Sequence, residues 1–141
     1  MTTQYCEAQD KAYARQITQT NMAEYYRTHG INWDDEMFDD SWEHFENYDI
    51  VVDDVHVGVI RFSRSDNTLY LRDLQVEAQY QNGGVGTQAI NWAKEYASQL
   101  GMAQLRLRVF PENPAKLLYM RLGFVLSHKM EVVEEMVFDL V

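Results

Sequence analysis

Seven residues in the middle of the chain, Gln81-Asn82-Gly83-Gly84-Val85-Gly86-Thr87, have the make-up of an anion-binding turn. They combine three glycines, two amides and a hydroxyl, with no charged side chain among them. Before them lies a strand-like stretch, Leu69–Val76, and after them an amphipathic helical pattern that is regular from Ala89. A strand that runs through glycines into a helix start points free backbone N–H groups and the positive end of a helix dipole the same way. A phosphate group answers both. Glycine lets the backbone come close to such a ligand and take positive φ. The same residues also read as a plain turn and helix cap, so the spacing around them has to decide.

Two well-known phosphate loops do not fit. A Walker A loop needs a Lys after its second glycine, and this turn has none. The dinucleotide pattern Gly-x-Gly-x-x-Gly/Ala is met by Gly84, Gly86 and Ala89, but seven residues separate Val76 from Gly84. The next strand-like stretch, near Leu105–Phe110, carries Arg106 and Arg108 and no acid for a ribose. The spacing Gln/Arg-x-x-Gly-x-Gly/Ala is filled by Gln81, Gly84 and Gly86. A second segment, Pro111–Phe124, reads PENPAKLLYMRLGF and supplies Asn113, Ala115, Leu118, Tyr119, Leu122, Gly123 and Phe124. These two segments, in this order and at this separation, resemble the pyrophosphate loop and the later helix motif of the GNAT superfamily, the acyl-CoA-dependent N-acyltransferases. Counted from the strand-like start at Leu69 to Phe124, they span about two-fifths of the 141 residues.

The resemblance implies an α/β (α+β) fold. In it, a mixed, largely antiparallel twisted sheet of six to seven strands is flanked by about four helices, as one domain over residues 1–141. It also implies direct transfer of an acetyl group from acetyl-CoA to a primary amine, without a covalent enzyme intermediate. On that reading Gln75 and Val76 match the strand end whose backbone meets the pantetheine arm and the thioester. Gln81 opens the cofactor loop, the N–H groups of Asn82, Gly83, Gly84, Val85, Gly86 and Thr87 hold the pyrophosphate, and Asn113 matches a contact to the CoA arm. Tyr119 matches the general acid that protonates the leaving thiolate. Family members often carry a Glu or His base on the central strand. Here those positions hold Tyr70 and Arg72, neither a base at neutral pH. Asp73 is the nearest carboxylate, a candidate base that alternation turns to the opposite face, where a salt bridge is an equal expectation. A non-catalytic acyl-CoA sensor is the alternative from a different class.

The acceptor side of such a fold lies on its first helix pair, which points to Tyr25–Phe45. Tyr26, Trp33 and Trp42 stand there beside Asp34, Asp35, Glu36, Asp39, Asp40 and Glu43. Aromatic faces and carboxylates suit an ammonium ion; the same pattern is also that of an amphipathic helix with a solvated acidic face. Across the whole chain 22 acids face 12 bases, a formal charge of −10, which argues against nucleic acid as the main partner. The four histidines are scattered and Cys6 stands apart from any ligand pattern, so no metal is expected. A single cysteine fits a reducing, cytoplasmic setting and reads as a small buried hydrophobe. No secretory signal or membrane span is expected from the apolar pattern. The resemblance makes a homodimer an expectation, though nothing in the sequence marks an interface.

These groups must be positioned by elements whose ends the sequence punctuates. Residues Thr2–Ala8 read as an edge strand, and Asp10 as the N-cap of a helix that stops at Gly30. A second helix starts near Asp34, with Phe38, Trp42 and Phe45 as one aromatic stripe. Asp49–Asp53 and Val55–Ser63 read as strands joined at Asp53-Asp54, and Ser65-Asp66-Asn67 as the turn into the central strand. Val85, Ala89, Trp92, Ala93, Tyr96 and Leu100 form the expected core face of the loop helix, which Gly101 closes. Gln104–Phe110 is a strand, Pro114 opens a short helix, and Phe124–His128 with Val132–Leu140 make a final hairpin.

Overall fold

The structure is a computed structural model that describes residues 2–141. In chain order the elements are β1 (Thr3–Glu7), α1 (Lys11–Thr28), α2 (Asp35–His44), β2 (Glu46–Val52), β3 (Val55–Ser65), β4 (Thr68–Val76), α3 (Val85–Gln99), β5 (Gln104–Val109), α4 (Ala115–Arg121), β6 (Val125–Lys129) and β7 (Glu134–Asp139). Among the described residues, seven strands form one mixed sheet in the order β1-β2-β3-β4-β5-β7-β6, and four α-helices accompany it. The chain divides into two compact units. One comprises residues 1–62 and 73–86, the other residues 63–72 and 87–141.

In the first unit, β1, β2 and β3 form an antiparallel meander, with Tyr5 opposite Ile50 and Asp49 opposite Val59. The turn between β2 and β3 places both Asp53 and Asp54 at positive φ, the geometry of a two-residue hairpin loop. Strand β2 begins at Glu46, three residues before the expected Asp49. Asn47 accounts for the difference: it pairs opposite Arg61, and its side-chain amide donates to the carbonyls of Trp42 and Phe45. Tertiary partners hold a polar start that propensity alone would leave as loop. Strand β3 does not alternate as expected, because Val57–Phe62 are all buried, while Val55 is exposed.

Helix α1 is capped by Asp10, whose carboxylate accepts from the Tyr13 N–H at 3.0 Å. Asp34 caps α2 in the same manner through the N–H groups of Glu36 and Met37. Ala14, Ile17, Phe38 and Val59 form a buried cluster on which Tyr13, Trp33 and Trp42 pack. Cys6 is exposed, not buried as expected, because the polar-edged β1 turns it to solvent.

In the second unit β4 and β5 run parallel, with Thr68 opposite Gln104 and Leu71 opposite Leu107, and β5, β7 and β6 continue antiparallel. Helix α3 starts at Val85, four residues before the regular pattern at Ala89. Its buried residues are Val85, Ala89, Ile90, Ala93 and Ala97. Trp92 and Tyr96 lie at the rim rather than in the core, stacked at 5.4 Å with nearly parallel rings. Small alanines allow close packing, and the large amphipathic rings flank them. The final hairpin turns at Met130–Val133, slightly later than expected, so β7 begins at Glu134. No helix among the described residues is long and apolar enough to cross a membrane.

Candidate active site

The glycine-rich segment leaves the end of β4 through a single tight turn at Ala78–Tyr80, closed by the Tyr80 N–H bonding the Glu77 carbonyl at 2.8 Å. Gln81, Asn82, Gly83 and Gly84 are exposed, while Val85 is buried and pins the loop. Asn82 has φ of 64° and Gly84 of 88°. Left-handed residues alternating with ordinary ones are the backbone pattern that turns successive N–H groups toward an anion. Nothing lies within 4 Å of where a Cβ on Gly84 would stand, so backbone conformation rather than crowding requires glycine there. Helix α3 opens directly after this segment, at Val85, and the first-turn N–H groups of a helix have no partner within the helix itself.

Behind the loop, the end of β4 is tightly held. The side-chain amide of Gln81 reaches back to the Val76 carbonyl at 2.9 Å. The same carbonyl accepts from Asn21 Nδ2 of α1 at 3.0 Å, and that nitrogen also donates to Gln75 Oε1 at 3.2 Å. Glu77 accepts from the Tyr13 hydroxyl at 2.9 Å, and its N–H bonds the Val57 carbonyl at 2.8 Å. Burial, then the bond and charge of Glu77 and the charge of Asp49, keep the Tyr13 hydroxyl protonated well above its ordinary range. Three alternate residues, Asp73, Gln75 and Glu77, thus each bind a partner in the first unit: Arg61, Asn21 and Tyr13.

Asp73 is one arm of a buried knot. Arg61 is 1% exposed and donates to Asp73 Oδ2 and Asn47 Oδ1 at 2.8 Å each, and to Ser41 Oγ. Its guanidinium lies 4.2 Å from the Phe38 ring centre and 5.0 Å from that of Phe45. Burial lowers the Arg61 pKa while Asp73 holds it up. Two stacked rings and three acceptors are what a planar guanidinium needs once it leaves water. Tyr70 and Arg72, at the positions where a base was sought, pair with each other instead, the guanidinium 4.5 Å from the Tyr70 ring centre and bonded to Ser63.

On the helices, Tyr26 lies 6.0 Å from Trp33, and Trp33 lies 5.8 Å from Phe38 and donates from Nε1 to Asp35 at 2.6 Å. Burial and then the charge of Asp73 raise the Tyr26 pKa. Trp42, like Trp33, packs on the cluster of Ala14, Ile17, Phe38 and Val59. The acidic helix is partly neutralised by α1, because Arg15 Nη1 sits 2.8 Å from Asp39 and Lys11 Nζ 3.8 Å from it.

In the second unit Tyr119 is 8% exposed on α4, its ring 5.9 Å from Phe124. The C-terminal end of α4 is clamped by Lys94 of α3, which donates to the Leu122 carbonyl and stands 3.9 Å from the Phe138 ring centre. Burial lowers the Lys94 pKa. Asn113 spends its side-chain oxygen on the start of α4, accepting from the Ala115 N–H at 2.9 Å.

Sequence reasoning did not single out Arg61, Asn21, Tyr13 or Gly58. Two of them carried a signal: an Arg between Ile60 and Phe62 in a strand-like run, and a glycine inside that same run.

Comparison with known proteins follows the same lines. Residues 14–124 match the Acetyltransferase (GNAT) family. Among solved structures, the chain resembles the PaiA N-acetyltransferase of Thermoplasma acidophilum in complex with coenzyme A, with a TM-score of 0.74 and 16% identity over 99% of each chain. It also resembles the ribosomal-protein-S18-alanine N-acetyltransferase of Escherichia coli, with a TM-score of 0.78 and 20% identity over 99% of this chain and 94% of that one. A Bacillus subtilis acetyltransferase in complex with CoA aligns with a TM-score of 0.77 and 16% identity, covering 99% of this chain and 98% of its own. No curated protein matches the chain in sequence. The family match covers well over half of the 141 residues, and the chain belongs to the acetyltransferase (GNAT) family.

Proposed function

We propose that this protein is an N-acetyltransferase that moves the acetyl group of acetyl-CoA directly to a primary amine of a small molecule, a cationic one included, or of a protein. The observation that carries the reading is the Gln81–Thr87 segment, with Asn82 and Gly84 left-handed at the opening of α3. Its residues fit a pyrophosphate: exposed backbone donors, no carboxylate, and open space above Gly84. Two of the structural relatives hold coenzyme A.

In the reaction the amine nitrogen attacks the thioester carbonyl, the C–S bond breaks, and the nitrogen gives up a proton through Asp73, the candidate base, to water, from which Tyr119 regains the proton it donates. Tyr119 gives its phenolic proton to the departing thiolate, so that an amide and free CoA result. The backbone at Gln75 and Val76 carries the pantetheine arm, and Asn113 contributes through its remaining amide group. Tyr26, Trp33 and Trp42 wall the acceptor side, where the Tyr26–Trp33 pair offers ring faces to an ammonium ion. A cytoplasmic setting suits a chain whose single cysteine is exposed and unpaired.

One observation favours a second reading, an acyl-CoA sensor without turnover: Arg61 engages Asp73, and Tyr70 with Arg72 supplies no base. Isothermal calorimetry with acetyl-CoA on the wild type and on Gly84→Val tests the loop that both readings share. Binding by the wild type and its loss in the variant is the expected result. Equal affinity for the two proteins would remove the loop from the site.

A further inference from the structure

The Val76 carbonyl is a junction of three elements. It ends β4, it accepts the side chain of Gln81 from the phosphate loop, and it accepts Asn21 from the middle of α1. A carbonyl has two lone pairs, and both are spoken for by side-chain amides. Asn21 uses the same nitrogen to hold Gln75 through its Oε1, so that one amide fixes two consecutive residues of the strand end. Gln75 is 6% exposed, and its carbonyl oxygen lies so close to Gly58 of β3 that a Cβ there would stand 2.2 Å from it. The strand end therefore has little freedom while Asn21 is in place.

We infer that Asn21 is a positioning residue for acyl-CoA: it acts through the Val76 carbonyl and the Gln75 side chain to fix the strand end along which the thioester arm lies. The inference rests on the acyl-CoA reading above. Asn21 need not touch the ligand. Its amide aims the backbone of Gln75 and Val76, and because it sits on α1 it ties the acyl arm to the helix that carries Tyr26. The division of labour is specific. The loop holds the phosphates, and Asn21 with Val76 sets the thioester end.

Two ligands separate these ends. Coenzyme A spans both, whereas adenosine 3′,5′-bisphosphate reaches the loop and lacks the arm. Calorimetry with both probes on wild type, Asn21→Ala and Asn21→Ser, each checked by thermal melting, reads the split. The expected result is a loss of roughly tenfold in coenzyme A affinity, with the bisphosphate changed by less than about twofold. In the double variant with Gln81→Ala, the coenzyme A losses should fall short of the product of the single ones, because both side chains restrain one carbonyl. Equal losses for the two ligands would mean that Asn21 only supports the fold, and unchanged coenzyme A affinity would mean that it does not position the arm. Either overturns the inference while leaving the acyl-CoA reading intact. A wild type that binds neither probe would instead overturn that reading.

Discussion

A Cβ built on Gly58 would stand 2.2 Å from the Gln75 carbonyl oxygen and 3.2 Å from the Val76 Cα, so β3 and β4 meet backbone to backbone at the strand end that leads into the glycine-rich loop. Both neighbours are main-chain atoms and neither can swing aside. Gly58→Ala must push β4 outward or distort β3. The expected cost is about 1–3 kcal/mol in urea unfolding, with a fall in acetyl-CoA affinity as Gln75 and Val76 move. A variant with an unchanged midpoint and unchanged affinity would show that the contact is slack.

The Arg61–Asp73 pair carries a larger penalty. Arg61→Met leaves Asp73 without its counter-charge, and Asp73→Asn leaves a guanidinium that is 1% exposed without its anion. Removing one partner of a buried pair costs about 3–5 kcal/mol, a large share of the stability of a domain this size. The double variant Arg61→Met with Asp73→Leu is expected to recover much of that loss. Chemical denaturation of all four proteins checks both statements.

Tyr119→Phe keeps the buried ring against Phe124 and deletes only the hydroxyl. Fold and acetyl-CoA binding should persist, while turnover falls by about 10²–10⁴. Thiol release under saturating acetyl-CoA reads the difference, and full turnover in the variant would assign the proton donor elsewhere.

Acid dependence divides between two carboxylates that move in opposite directions. Burial raises the pKa of Glu135, but bonds from Arg108 and Arg106 with the charges of Arg108 and His128 bring it below the ordinary value overall. Its stabilisation is present above the unfolded pKa of about 4.3 and is lost as pH falls through the folded value. Asp49 is raised by burial, against His56 and with Asp10, and its Oδ1 has no hydrogen-bond partner among the described residues. Its contribution is most favourable below about pH 3.9 and is lost as pH rises through the folded value. Glu135→Gln should therefore destabilise at pH 7 and converge on the wild type below about pH 4, whereas Asp49→Asn should stabilise at pH 7 and converge in acid. Urea midpoints from about pH 3 to 7 test both signs.

Local chemistry made much of this fold legible. Asp10 and Asp34 are caps because a short carboxylate at a helix start answers free N–H groups, and both bond as their positions require. The two-aspartate turn at Asp53-Asp54 and the glycine-rich opening of α3 are likewise set by neighbours in sequence. What could not be read are bonds between distant residues. Asn21 meets Val76 across 55 positions and Tyr13 meets Glu77 across 64, and no pattern in either stretch names the other. The polar start of β2 escaped for the same reason, since Asn47 is held by Arg61 and the carbonyls of Trp42 and Phe45 rather than by propensity. At the candidate site, the loop was local and readable, whereas the Arg61 knot that engages Asp73 depends on α2, β2 and β4 arriving together.

The most direct test of acetyl transfer is free-thiol release from acetyl-CoA across a panel of amines: polyamines, aminoglycosides, amino acids, arylamines, and peptides with free N-termini or lysines. The account predicts saturable, acceptor-dependent release with one class of amine, matched by mass spectrometry showing one acetyl group on the acceptor nitrogen. Acetyl-CoA that binds tightly yet gives no release with any member would contradict catalysis and leave a sensor of acyl-CoA.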